Sequence, residues 1–147
     1  MNALLLFSLF SQPIHAEEQD IRVGVCAGNE DCAIALQLEY GNSNFATGIH
    51  SNILYNGIHA HYNIVRANDN LRFPIGMRFQ YEFAMNVMAG ADSPDQSYLT
   101  PYLGAEFHTQ RLTIRATGGV KLCASCDDLW PATSATLSLM YNFNLAK

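Results

Sequence analysis
Between Arg72 and Met85 the chain alternates without a slip. Phe73, Ile75, Met77, Phe79, Tyr81, Phe83 and Met85 are large and apolar, while Arg72, Arg78, Gln80 and Glu82 occupy the other phase. A period of two belongs to a strand, because successive side chains of an extended backbone point to opposite faces. At roughly 3.3 Å per residue the run would extend about 45 Å. That is longer than the usual strand of a soluble domain and suits a tilted strand crossing a bilayer with its interfaces. Hydrocarbon offers no water to an open sheet edge, so the expected fold class is all-β, an antiparallel transmembrane up-and-down barrel.

The same alternation recurs in eight segments, at 20–27, 32–41, 44–51, 57–66, 72–86, 98–109, 111–122 and 133–145. An even strand number suits a bacterial barrel. Gly41-Asn42-Ser43, Ala67-Asn68-Asp69-Asn70 and Thr109-Gln110-Arg111 read as tight turns. The segments 51–56, 86–97 and 122–133 are longer and, with the short stretch at 28–31, form the opposite rim.

Charge parity supplies the internal check. Arg22, Glu39, Arg72, Arg78, Glu82, Glu106, Arg115 and Lys121 all fall on the phase opposite to the large apolar residues of their own segments. The apolar phase, with Ile34, Leu36, Leu38, Ile58, Ile64, Leu103, Phe107, Ile114, Leu137 and Leu139, would face lipid, and tyrosines near the strand ends would mark the interfaces. The charged phase would share a lumen just wide enough to be filled by side chains, a network that must neutralise itself. Glu82 is expected to meet Arg78 or Arg115 there. The competing architecture is a soluble lipocalin-like barrel carrying an apolar ligand, with the apolar phase inside. Small residues on the polar phase, such as Gly24, Ala35, Gly48, Gly76, Gly104 and Gly119, suit a crowded lumen better than an exposed surface.

Leu4 to Phe10 is a short apolar run, followed by Pro13, Ala16 and then Glu17 and Glu18. Residues 1–16 are read as a cleaved secretory signal, although no Lys or Arg precedes the run, and 17–147 as a single domain. No later stretch is apolar enough for a transmembrane helix. The formal net charge of −5 excludes a generic nucleic-acid binder.

Two motifs carry a family resemblance. Leu137-Ser138-Leu139-Met140-Tyr141-Asn142-Phe143 resembles the closing strand of bacterial outer-membrane proteins, with Asn144 to Lys147 as an unusual extension. Pro101-Tyr102-Leu103-Gly104-Ala105-Glu106-Phe107 resembles the PYxGxG strand of small OmpA-like and OmpX-like barrels. The resemblance implies an eight-stranded monomer in the bacterial outer membrane, inserted by the barrel assembly machinery among lipid and lipopolysaccharide. Its implied role is envelope-structural or surface-interacting, with no cofactor.

Other constellations compete with that reading. His59 and His61 share a strand face, and a hairpin pairing residue 50 with residue 59 would add His50 to a potential Zn²⁺ or Cu²⁺ site. The bland alternative is a row of lumen hydrogen-bonders, and no metal is expected. Lipid A deacylases pair His with Ser on one face. Here His50-Ser51 are adjacent and so point to opposite sides, which leaves no expected catalytic residue. Cys26 and Cys32 flank the first loop, and Cys123 and Cys126 lie in the last. Disulfides are the default outside the cytoplasm, and the pairing is open between the local 26–32 with 123–126 and two crossed arrangements. Asp92, Asp95, Asp127, Asp128 and Trp130 lie in the long loops, where they would meet divalent cations, lipopolysaccharide or an extracellular partner.

Overall fold
The computed structural model describes residues 19–28, 34–52, 55–68, 70–82, 96–126 and 131–145. Eight strands follow in chain order: β1 (Asp20–Gly28), β2 (Ala35–Gly41), β3 (Phe45–Ser51), β4 (Tyr55–Arg66), β5 (Leu71–Glu82), β6 (Gln96–His108), β7 (Leu112–Cys123) and β8 (Ala132–Asn144). Each pairs antiparallel with its neighbours in sequence, and β1 pairs with β8, so the sheet closes without an edge. The candidate signal at 1–16 and the part of the long alternation beyond Glu82 lie outside the described residues.

The sequence parity becomes the inside and outside of this barrel. Arg22, Glu39 and Glu106 are fully buried, whereas Leu36, Ile58, Leu103 and Leu137 are each more than half exposed. A soluble lipocalin-like barrel requires the reverse, so that alternative is overturned. The exterior is an apolar belt that water would not tolerate and hydrocarbon would.

One charged residue tests the parity rule. Counted simply, Arg66 shares the outward phase of Ile58, Tyr62 and Ile64. The ladder between β4 and β5 shifts register between Asn63 and Val65, so that Ile64 and Val65 both face out and Arg66 is paired with Arg72. A bulge inserts one unpaired residue and so reverses the phase beyond it. It returns Arg66 to the charged phase where the strand reaches the rim.

Three short turns form one rim, each closed by a side chain that accepts backbone N–H groups. Asn42 Oδ1 accepts from Asn44 at 2.9 Å and Phe45 at 2.8 Å, Asn68 Oδ1 from Asn70 at 2.9 Å and Leu71 at 2.7 Å, and Thr109 Oγ1 from Leu112 at 3.0 Å. These side chains offer the turn the acceptors that a ladder would otherwise supply. On the other rim the expected loop at 51–56 is itself tight. The Asn52 N–H donates to Tyr55 O at 3.0 Å, and Asn52 Oδ1 accepts from the Tyr55 N–H at 2.9 Å. β2 and β3 have seven residues each, against thirteen in β6 and β8.

A nitroxide at Phe79 should be reached by oxygen dissolved in the bilayer while one at Gln80 is protected; the reverse order would refute this orientation. Phe79→Arg should cost roughly 2–4 kcal/mol when unfolding is measured in lipid vesicles, as expected for a cation placed near the bilayer midplane.

Candidate functional site
The lumen is organised by cross-strand partners. Arg22 on β1 stands opposite Glu39 on β2, and Arg72, Glu106 and Arg115 are successive partners on β5, β6 and β7. Arg22 Nη1 donates to Glu39 Oε1 at 2.6 Å, and Arg115 Nε donates to Glu106 Oε2 at 2.7 Å. Arg115 also reaches across the lumen, with Nη1 donating to Glu39 Oε2 at 2.7 Å and Nη2 to Glu39 Oε1 at 2.9 Å. This two-pronged contact joins opposite walls of the barrel. Arg72 Nη1 lies 3.6 Å from Glu106 Oε1, and Asp20 Oδ2 lies 3.9 Å from Arg22 Nη2. Such pairs hold only when each charge is met, because charges taken out of water must be repaid by their partners.

Nearer the other rim, Lys121 Nζ donates to Glu82 Oε1 at 2.8 Å and lies 3.8 Å from the centre of the Tyr98 ring. Glu82 therefore meets Lys121, which its β5 position projects toward β7 across β6, and not the expected Arg78 or Arg115. Arg78 donates to Thr136 Oγ1 at 2.9 Å and packs 5.6 Å from the centre of the Tyr102 ring.

Glycines make room for the rings of the lumen. His50 faces Gly57, His59 faces Gly48, and Tyr102 faces Gly76 on the adjoining strand. A Cβ at Gly57 would stand 2.3 Å from His50 Nε2, and one at Gly76 would stand 2.7 Å from Tyr102 Cζ. The expected pairing of residue 50 with residue 59 is thus displaced by two, to 50 with 57. His50 still lies beside His59, with ring centres 5.8 Å apart. Glu39 displaces it from the potential ligand set: Glu39, His59 and His61 each bring one ligand atom within 4.8 Å of the others. Parity marked the charged residues of this interior, but Gln37, Tyr102 and Asp20 were not singled out, although each occupies the same polar phase.

His50 is buried in the lumen and Ser51 faces outward, bonded to Asn56. No bulge rescues a His–Ser pair there, and among the described residues no carboxylate lies on the exterior. Cys123 and Cys126 are bridged to each other, and the bridged turn is tied to β6 by Ala124 N–H donating to Ser97 O at 2.7 Å. Cys32, Asp92, Asp95, Asp127, Asp128 and Trp130 lie outside the described residues.

No protein-family profile and no curated protein matches the sequence. Among solved structures, the N-terminal β-barrel domain of Pseudomonas aeruginosa OprF superposes with a TM-score of 0.55 and 13% identity, over 86% of this chain and 99% of that one. The chain has the fold of the small OmpA-like and OmpX-like outer-membrane barrels. Two structures of Yersinia pestis Ail, one in a phospholipid bilayer nanodisc and one with the heparin analogue sucrose octasulfate, share 14% and 17% identity over the same proportions. Their TM-scores are 0.48 and 0.42. An apolar belt around a charged interior, on this fold, belongs in the bacterial outer membrane.

The two parts of the lumen should respond unequally to mutation. Glu106→Gln leaves Arg115 and Arg72 short of a carboxylate in a buried setting and should cost about 3–5 kcal/mol. Glu82→Gln, at a partly exposed pair, should cost about 1 kcal/mol or less. Urea unfolding in vesicles gives both values. Replacing Glu106 and Arg115 together with apolar residues should cost less than the sum of the single changes, and additivity would refute the coupling.

Proposed function
We propose that this chain is a monomeric outer-membrane scaffold, with a lumen plugged by its own ion pairs and an envelope or surface-interaction role carried by its longer loops. The observation that carries the reading is the clasp of Arg115 on both Glu39 and Glu106, together with Arg22 on Glu39. A solute passing through would have to break these contacts and leave charges stranded. Beside the clasp, the small cavity among Gln37, His50, His59, Tyr102 and Arg115 has a volume of about 10 Å³, on the order of one water molecule.

With the interior committed to side chains, the loops and the lipid-facing wall are what the barrel offers to other molecules. Asp92, Asp95, Asp127 and Asp128 supply the salt-sensitive or divalent-cation-dependent part of that interaction, with lipopolysaccharide or a basic extracellular partner. Trp130 supplies an interfacial anchor. The placement of His50 and Ser51 on opposite faces supports a non-enzymatic role over lipid A acyl chemistry.

Two experiments test this reading. In planar bilayers the wild-type barrel should give no steady conductance, and Arg115→Ala should admit ions; step conductance in the wild type would refute the plug. Replacing 87–95 with a short Asn-Gly-type turn should leave outer-membrane assembly intact, because the paired ends Glu82 and Gln96 are kept, and should weaken surface binding; adding Asp127→Asn, Asp128→Asn and Trp130→Ala should abolish it. Full retention of binding, combined with its loss in Glu106→Gln, would move the function into the barrel.

A further inference from the structure
We propose that Glu39, His59 and His61 form a lumenal site for one borderline divalent transition-metal ion, represented here by Zn²⁺. The inference does not depend on the loops' role. Its basis is the geometry of three buried side chains from two strands.

Two imidazoles and one carboxylate with a fourth position for water are a ligand set that zinc accepts. Bonds of about 2.0–2.2 Å at tetrahedral angles put two ligands of one ion about 3.4 Å apart, so the present limit of 4.8 Å has to close by about 1.4 Å, within reach of side-chain rotation. The scaffold is stiff where that matters. His59 and His61 are two apart on β4, a central strand paired on both sides, and their rings are stacked within 7° at 6.3 Å.

The hydrogen bonding of each ring favours a free lone pair at the right nitrogen. His61 Nδ1 stands 3.4 Å from the Tyr102 hydroxyl, while its buried Nε2 has no hydrogen-bond partner among the described residues. A ring that donates Nδ1–H to that hydroxyl turns an Nε2 lone pair into the lumen, which is the way metal-binding histidines are commonly oriented. His59 Nε2 lies 3.0 Å from Glu39 Oε2, a contact that needs a proton between the two atoms. The ion takes that proton's place, and the ring's single proton moves to Nδ1, the other tautomer of the neutral imidazole.

The charges nearby limit the affinity. Arg22 and Arg115 already bind Glu39, and Arg72 lies beyond Glu106. Glu39, Glu106 and Asp20 balance these three cations, and Glu106 Oε2 lies 3.9 Å from His61 Nε2, but Arg78, the cross-strand partner of His59, leaves one cation in excess that the ion must meet. Sharing its carboxylate with two guanidiniums lowers the affinity below that of a site whose ligands are free.

The test uses the full mature chain, folded in detergent, freed of metal with a chelator and checked by the heat-modifiable gel mobility of a closed barrel. Co²⁺ added before or after folding should give the visible bands of a tetrahedral ion, saturate at one equivalent and be displaced by Zn²⁺. His61→Gln should weaken binding at least tenfold, whereas His108→Gln, at the turn rim, should leave it unchanged. If His61→Gln does not fold, X-ray absorption of the zinc-loaded wild type decides, with two imidazoles required in the first coordination sphere. The proposal is overturned if the wild type shows no saturable bands up to about 100 µM Co²⁺ by either route, a Kd too weak for a built site. Unchanged binding in folded His61→Gln, or a coordination sphere of sulfur or of oxygen alone, would also overturn it.

Discussion
The contact on which the rest of the structure depends is the hold of Arg115 on Glu39 and Glu106. Glu106 is its cross-strand partner on β6, and Glu39 belongs to the far wall on β2. The barrel thereby has a charged centre in place of an apolar core. In a soluble domain that centre would be a liability, since apolar replacements of buried ion pairs are often no less stable. Here the apolar surface is already assigned to the outside, where lipid covers it. The inside must be filled with groups that would otherwise have nowhere to go, and mutual neutralisation is the condition on filling it.

Glycine placement follows from the same crowding. A narrow lumen cannot hold large side chains on every strand at one level, so the rings of His50, His59 and Tyr102 each lie over a glycine of the neighbouring strand. These glycines serve less for backbone freedom than for the space left by an absent side chain. At these three positions residue identity on the polar phase is therefore correlated between strands: where one strand carries the ring, a neighbour on one side carries only a glycine.

Most of the architecture was legible from alternation alone, because inside and outside differ by one step of sequence and the bilayer punishes any charge on the wrong step. The eight strands and the residence of Arg22, Glu39, Arg72, Glu106 and Arg115 in the lumen follow from that rule. What alternation cannot carry is register. The pairing of His50 with Gly57, the meeting of Glu82 with Lys121 and the presence of Glu39 beside His59 depend on how far each strand slides along its neighbour, which is decided by turn geometry. Arg66 shows the limit from another side. Simple counting puts it on the apolar phase, the bulge at Asn63 to Val65 reverses that, and no residue type in that stretch announces a bulge.

The seven-residue strands β2 and β3 make the wall uneven, since β6 and β8 each have thirteen. At about 3.4 Å per residue, seven residues span about 24 Å along the strand, and the usual tilt of such strands reduces their height further. A bilayer is not free to be thick on one side of a small protein and thin on the other without cost. Lipid beside β2 and β3 must compress, or the whole barrel must lean so that its short flank lies oblique to the membrane normal. Either way the molecule has a preferred side, a soft seam in the surrounding leaflet whose direction is written into the lengths of two strands.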